Sequence, residues 1–275
     1  MRSVLTKTLV EQRRALLWWA FGLVAACLLT IAFYPSIREN AASFERLLES
    51  LPQGLRQSFG GDFASPAGYL EARLFSIFAP VLLLIFAIGA GSRAIAGEED
   101  HKTLDVLLST PVSRRRVLLD KAPAMLVATT GLGAVLALAI AATGPPFDVS
   151  VSVSNIVAAV ANCVLLALAF GALALLVGAA TGRRSLAIGV AAGVAAGSYL
   201  IDVIALSVGG LTWLQRLSPF FYYRHPQAIV HGLDPVDAIV LGLIGVVTVV
   251  IAFVVFQRRD LAAVSDRRQG TGSGS

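Results

Sequence analysis

The sequence predicts an all-α, polytopic membrane protein, and three observations support this fold class. Of its 275 residues, 56% are hydrophobic and only 14% are charged, whereas an ordinary soluble domain has about 25% charged residues. The mean hydropathy is +0.77. Several uncharged runs reach the roughly 20 residues that a helix needs to cross the hydrocarbon core of a bilayer. This composition excludes a soluble fold, a disordered chain, a nucleic-acid-binding protein and a disulfide-stapled secreted fold.

Six runs are predicted to span the membrane. Helices are expected because backbone groups in lipid must find hydrogen-bond partners within their own segment, and the runs lack the alternation of barrel strands. Five runs contain no charged residue, and the fifth contains Asp202. Residues 1–264 are predicted to form one membrane domain, and 265–275 a flexible tail or expression remnant. The predicted spans are 16–34, 74–92, 122–143, 155–180, 185–206 and 238–257.

The distribution of Lys and Arg predicts the orientation of these spans. Sixteen of the 22 basic residues lie before span 1, between spans 2 and 3, between spans 4 and 5, or after span 6. Since cytoplasmic loops carry the excess of Lys and Arg, both termini are predicted to be cytoplasmic. The protein is expected in the cell membrane, most simply a bacterial inner membrane.

The first outer loop, 36–71, has apolar residues at helical spacing from Phe44 to Leu55. It is predicted to contain an amphipathic helix that either lies on the outer membrane surface or packs on neighbouring loops. Cys27 and Cys163 lie in apolar runs and are interpreted as small buried hydrophobes. No metal or cofactor site is expected in the chain.

The inner loop, 97–116, has the most informative pattern. Acidic residues come first, as at a helix N-terminus, then an apolar stripe at i, i+3 and i+4, then Pro111, which ends a helix. The pattern predicts a short amphipathic helix below the membrane. It could lie on lipid or bind a protein partner, and its acidic start favours a protein over an anionic lipid surface. The acidic residues include Glu98 and Glu99, and the stripe is Leu104, Leu107 and Leu108.

Span 5 contains Gly189, Gly193 and Gly197. Glycine at every fourth residue makes a flat strip down one helix face, which permits close approach of another helix. The spacing leaves open whether that helix belongs to the same chain or to a second copy.

Asp202 follows this strip. A carboxylate in lipid is costly, so Asp202 is expected to face a cavity or a partner, or to lie at the outer interface if span 5 ends early. Asp202 is therefore a candidate for the translocation path, together with Asn162 in span 4 and Tyr199.

The inner loop resembles that of the ABC-2 type transporter permeases, the membrane subunits of bacterial ATP-driven exporters. Glu98 is followed by Thr103-Leu104, then by the run LLSTPVSR ending at Arg114, and finally by Lys121. This order is similar to the family's E…GTL…LL…TPVSR…K run. The chain differs in having His101-Lys102 where the family often has glycine before the threonine.

Weaker resemblances extend from about residue 10 to residue 261. They include LSPFFYY at 217–223 and FQRRDL at 256–261. The stretch 4–14, with Trp18-Trp19 behind it, looks like the family's amphipathic N-terminal helix, although the two Trp residues also suit an interfacial aromatic belt.

The resemblance implies a homodimeric permease that pairs with a cytoplasmic ABC ATPase. In such permeases the inner-loop helix is a coupling helix that seats in a groove of the ATPase. The implied contacts are Glu98, Glu99, Thr103, Leu104, Leu107, Leu108, Pro111 and Arg114.

The chain is not expected to be an enzyme. None of its three lysines completes the phosphate-binding motif G-x-x-x-x-G-K-[ST], so ATP and Mg²⁺ are expected on the partner ATPase. Two other functions remain open: a membrane scaffold that transports nothing, and an ion-coupled secondary transporter. The latter would call for several ionisable residues in the membrane.

Overall fold

A computed structural model describes residues 4–39, 65–100, 114–207, 212–225 and 227–270 of the chain. Every regular element within these ranges is helical. The six long helices are α1 (Val4–Ala32), α4 (Ala79–Asp100), α5 (Arg114–Thr143), α6 (Val153–Thr181), α7 (Arg184–Ser207) and α11 (Pro235–Gly270). The short helices are α2 (Tyr34–Glu39), α3 (Pro66–Leu70), α8 (Thr212–Gln215), α9 (Pro219–Arg224) and α10 (Ala228–His231).

The six predicted spans are confirmed, because six helical stretches are long and apolar enough to cross a membrane. Their ends differ from the prediction by a few residues, apart from the second, which begins eight residues earlier, at Pro66. They are Arg13–Glu39, Pro66–Ala94, Lys121–Thr143, Val153–Thr181, Arg184–Ala205 and Pro235–Gln257.

The early start of the second span corrects one expectation. The spanning stretch contains Glu71 and Arg73, so Asp202 is not alone as a charged residue within a span. The start itself is encoded locally, since Ser65 caps α3 and its hydroxyl accepts a hydrogen bond from the Gly68 amide at 3.1 Å. A π-helical stretch, Glu71–Phe78, then joins α3 to α4.

The N-terminal segment is helical, and it is continuous with the first span. Helix α1 continues from Val4 through to Ala32, so the 4–14 stretch extends the first span. Tyr69 in α3 ties the far end of this span to the bundle, because its hydroxyl donates a hydrogen bond to the Thr30 carbonyl at 2.8 Å.

Helix α6 is the centre of the bundle. Helices α4, α5, α7 and α11 all pack against it, while α1 packs on the outside of α5. The closest crossing joins α4 to α6, because a Cβ at Gly91 would overlap the Gly171 carbonyl and a Cβ at Gly171 would lie 3.0 Å from the Ala87 carbonyl. Glycine at both positions lets the two backbones touch.

Helix α7 has two faces of small residues, and the alanine face is the one that packs within the chain. Ala187, Ala191 and Ala195 are buried. The glycine strip starts two residues later, which at about 3.6 residues per turn puts it on the opposite side of the helix. A Cβ at Gly189, Gly193 or Gly197 would meet no described atom within 4 Å. Among the described residues, the glycine strip therefore has no packing partner.

Candidate functional site

The candidate site lies where three short helices join α7 to α11. We call this segment, residues 212–225 and 227–231, the connector. Ser218 orders its middle part: the Ser218 hydroxyl accepts a hydrogen bond from the Phe220 amide at 3.1 Å and caps α9. The same hydroxyl donates to the Ser198 carbonyl of α7 at 2.9 Å. One buried serine thus starts α9 and anchors it to a spanning helix.

An ion pair makes the second link between the connector and α7. Arg224 Nη1 lies 2.9 Å from Asp202 Oδ2. The Asp202 side chain is 5% exposed and that of Arg224 is 31% exposed, so the carboxylate is buried and the guanidinium reaches solvent on one side. A buried carboxylate is stabilised by such a partner and by its charge-assisted hydrogen bond.

Glu71, at the start of the π-helical stretch, is the second acidic residue near Arg224. The positive charge of Arg224 interacts favourably with the Glu71 carboxyl. The positive charge of Arg224 thus acts on acidic residues from two spanning helices, Asp202 of α7 and Glu71 of the second span. The π-helical geometry is visible in the Ser76 hydroxyl, which donates to the Glu71 carbonyl five residues back at 2.9 Å.

Tyr223 links the connector to the same π-helical stretch. Its hydroxyl donates a hydrogen bond to the Phe75 carbonyl at 2.6 Å. Burial raises the pKa of the Tyr223 phenol well above its ordinary value, so the hydroxyl keeps its proton and remains a donor. π-helical turns often occur at functional sites in helical proteins, and here one is held by a side chain from another element.

Two asparagine side chains of α6 bind the connector. Asn162 is 1% exposed, and its Nδ2 donates to the Tyr223 carbonyl at 2.9 Å and to the Tyr222 carbonyl at 3.4 Å. Asn155 Nδ2 donates to the Ile229 and Val230 carbonyls at 3.1 and 3.0 Å. These side chains satisfy backbone carbonyls that a short helix leaves without partners.

The last link runs to α11. His225 Nδ1 lies 3.2 Å from Asp237 Oδ2, and the Asp237 side chain is 9% exposed. The connector is thus tied by polar contacts to the second span, α6, α7 and α11. We call the group formed by Glu71, Asp202, Tyr223, Arg224 and Asn162 the polar cluster.

The predicted path residues lie in or beside this cluster. Asp202 and Asn162 both contact the connector, Asp202 through Arg224 and Asn162 through the Tyr223 carbonyl. Tyr199 is 36% exposed, and its ring packs edge-on against Phe220 with centroids 5.4 Å apart. The structure brings these three residues to one end of the bundle, and their role in a translocation path stays a prediction.

The predicted coupling residues are only partly covered by the structure. Thr103, Leu104, Leu107, Leu108 and Pro111 lie outside the described residues, as do residues 40–64 of the outer loop. Arg114 begins α5.

The acidic run of the inner loop lies at the end of a helix, whereas the sequence pattern predicts that it starts one. Glu98 and Glu99 lie in the last turn of α4, which ends at Asp100, and not in the first turn of a new helix. Helix α4 continues six residues beyond the spanning stretch, which ends at Ala94.

Glu71, Tyr223 and Arg224 were missed as site residues by the sequence reasoning. The sequence pattern predicts a loop at Glu71, because a charged residue breaks an apolar run. Arg224 and Tyr223 belong to a loop whose path back into the bundle has no periodic signal. The sequence held one usable signal, the Ser218-Pro219 pair, which is typical of a capped helix start.

Together these features define a polytopic helical membrane protein whose inner loop joins two spans and whose connector is held by buried polar contacts. A family model described as "ABC-2 family transporter protein" matches residues 2–261. The chain therefore belongs to the ABC-2 transporter family, as its motifs predicted, and it is a transmembrane transporter subunit. A comparison with curated proteins finds no match.

Proposed function

We propose that this chain is the permease of an ABC exporter, which works as a homodimer and is driven by a separate cytoplasmic ATPase. The observation that carries the proposal is the family match along all six spanning helices. The ATPase would bind the inner loop at 98–120 and would hold the ATP and Mg²⁺. Export, the ATPase and the dimer are parts of this proposal that experiments must test.

The position of the inner loop suits a coupling element. Helix α4 ends at Asp100 and α5 begins at Arg114, so residues 101–113 directly join two spanning helices. Helix α4 contacts the central helix α6 backbone to backbone at Gly91 and Gly171. Since packed interiors transmit strain, a displacement of the loop would move α4 and, through it, the centre of the bundle.

The apolar stripe of the inner loop provides the test of ATPase docking. Burying one Leu contributes about 1.5–3 kcal/mol, so the double variant Leu104→Asp/Leu107→Asp is expected to weaken a micromolar contact by at least about a hundredfold. Val106→Asp is the matched control, because residue 106 falls on the opposite side of the predicted helix. Arg114→Gln is expected to have a smaller effect, since an exposed charge is screened by solvent.

The measurement is co-purification of the ATPase with the tagged chain, together with the ATPase turnover of the purified complex. Loss of the ATPase from the double variant, with normal membrane insertion and an intact Val106→Asp complex, supports the docking site. A double variant that retains its full complement of ATPase contradicts it. An ATPase that binds but whose turnover does not depend on this chain would indicate a scaffold and contradict the transport proposal.

The glycine strip of α7 supports the proposed homodimer. Gly189 and Gly193 are exposed, and added Cβ atoms would meet nothing of the described chain within 4 Å. A flat strip of this kind permits close approach of a second helix, and the chain's own helices use the alanine face instead. Disulfide cross-linking from Gly193→Cys tests this interface.

A further inference from the structure

A long apolar groove lies between α5 and α11, on the surface of α6. It forms because α5 and α11 both pack along α6 but make few contacts with each other. Its volume is about 650 Å³, within the roughly 300–1,000 Å³ of small-molecule sites. None of its lining residues carries a charged, hydroxyl or amide side chain. The groove therefore suits an apolar ligand such as a hydrocarbon chain.

Small residues on α11 create the space. Gly242 and Gly245 line the groove opposite Leu168 and Ala172 of α6. A Cβ at Gly242 would meet nothing within 4 Å, and one at Gly245 would make only ordinary contact with Ala169 at 3.8 Å. The helices are thus already seated against each other, and the space is not a gap that closer packing of these glycines would remove.

The groove has the length of one leaflet. Its lining on α11 runs from Leu241 to Phe253, or about 18 Å at the helical rise of 1.5 Å per residue. Half of the hydrocarbon core is about 15 Å thick. On α11 the lining starts four residues inside the Gln257 end of the spanning stretch and ends six residues inside its Pro235 end. A chain lying in the groove would be parallel to the spanning helices and would extend past the midplane.

In the sequence, basic residues outnumber the acidic Asp120 and Asp260 in the segments that adjoin one end of the groove. Lys121 adjoins the lining residue Ala122, and the sequence of α5 begins with three arginines at 114–116. On α11, Arg258 and Arg259 follow the last lining residue by one to two turns. At the opposite end of the groove, no Lys or Arg precedes Leu241 within α11. A ligand with an apolar chain and an anionic head complements this arrangement.

From the shape, the apolar lining and the position of the charges, we propose that this groove binds an acyl chain of an anionic phospholipid. The phosphate lies at the Lys121 end, in the leaflet that the orientation prediction places on the cytoplasmic side. The bound chain fills a space in which the lining side chains would otherwise lose their dispersion contacts. The site is separate from the polar cluster and from the inner loop, and it does not depend on the proposed docking of an ATPase.

The test uses the full chain in nanodiscs of phosphatidylethanolamine and phosphatidylglycerol, with a trace of phosphatidylglycerol that carries a photoreactive diazirine in its acyl chain. After irradiation, adducts are mapped by peptide mass spectrometry. They are expected to be concentrated on 165–172 and 241–253, and to be several-fold less frequent on the exposed face of α5 around Gly131. Adducts spread evenly over all exposed faces would overturn the proposal.

Two variants make the test specific. Gly242→Leu fills the groove and is expected to lower adduct formation there several-fold. Gly131→Leu is its matched control, because Gly131 is exposed on α5 and an added Cβ likewise meets nothing within 4 Å. Equal adduct formation in Gly242→Leu and wild type contradicts the site. A chain-to-chain cross-link formed from Gly242→Cys would show that a second copy covers this face, which also overturns it.

The head group is tested without altering the groove. Lys121→Gln is expected to reduce the preference for labelled phosphatidylglycerol over labelled phosphatidylcholine about fivefold, since one basic residue near anionic lipid contributes about that much. This variant keeps the proposal testable even if Gly242→Leu fails to fold. An unchanged preference would contradict the placement of the phosphate.

Discussion

Replacing Arg224 with Gln is expected to weaken the attachment of the connector to α7, since only the Ser218 contact with the Ser198 carbonyl described above would remain of the two links. The change removes the partner of the Asp202 carboxylate, whose side chain is 5% exposed, and also removes the positive charge that interacts with Glu71. Breaking a buried ion pair by removing one partner costs about 3–5 kcal/mol. Because the Arg224 side chain is 31% exposed and water already compensates part of its charge, the lower value of about 3 kcal/mol is expected.

The chain contains a matched control for this change. Arg38 pairs with Asp148 at 3.0 Å, nearly the same distance, but the two side chains are 59% and 78% exposed. A surface pair of this kind contributes about 0–1 kcal/mol, so Arg38→Gln is expected to have little effect. Because the two ion pairs have nearly the same length, a difference between Arg224→Gln and Arg38→Gln reports the effect of burial on the pair's contribution to stability.

Two further variants test the reasoning on charge. Asp202→Asn leaves Arg224 its interaction with Glu71 and is expected to cost less than Arg224→Gln. The double variant Asp202→Asn/Arg224→Gln removes both charges of the pair and is expected to be more stable than Arg224→Gln alone, as for other buried pairs whose two members are replaced together.

The assay is hydrogen exchange of connector peptides, residues 212–231, in the detergent-solubilised protein. A cost of about 3 kcal/mol corresponds to an opening equilibrium raised about a hundredfold. The reasoning is refuted if Arg224→Gln exchanges no faster than Arg38→Gln, or if the double variant opens as readily as Arg224→Gln alone.

The remaining predictions concern Gly91, which packs against α6, and the glycine strip of α7, which has no packing partner among the described residues. Gly91→Ala is expected to lower the free energy of unfolding by about 1–3 kcal/mol, because the added Cβ would overlap the Gly171 carbonyl. Gly189→Ala is expected to leave the thermal unfolding midpoint of the solubilised protein unchanged or slightly raised. A midpoint for Gly91→Ala equal to that of Gly189→Ala would contradict the close crossing. Gly193→Cys, in a chain with Cys27 and Cys163 replaced by Ala, is expected to give a disulfide-linked dimer under oxidation in membranes. A chain that stays monomeric on a non-reducing gel, while Gly193→Cys remains reactive to a thiol reagent, would remove the strip from the dimer interface.

The hydropathy of the chain was sufficient to predict its architecture. Composition and run length predict six helices in the membrane, because only helices and closed barrels satisfy backbone polar groups in lipid and the runs lack the alternation of barrel strands. The motifs of the inner loop were sufficient to indicate the family, which the match over residues 2–261 confirms. Both inferences depend on features that are local in the sequence.

The tertiary structure alone decided what the polar and small residues contact. Asp202 and Arg224 are 22 residues apart, and Tyr223 and Phe75 are 148 apart, so no periodicity relates them. The glycine strip of α7 and its alanine strip have the same four-residue spacing, and only the packing of α7 on its neighbours, α6 and α4 among them, determines that the alanines are buried. Long-range pairing of this kind follows from how the helices meet, which hydropathy does not encode.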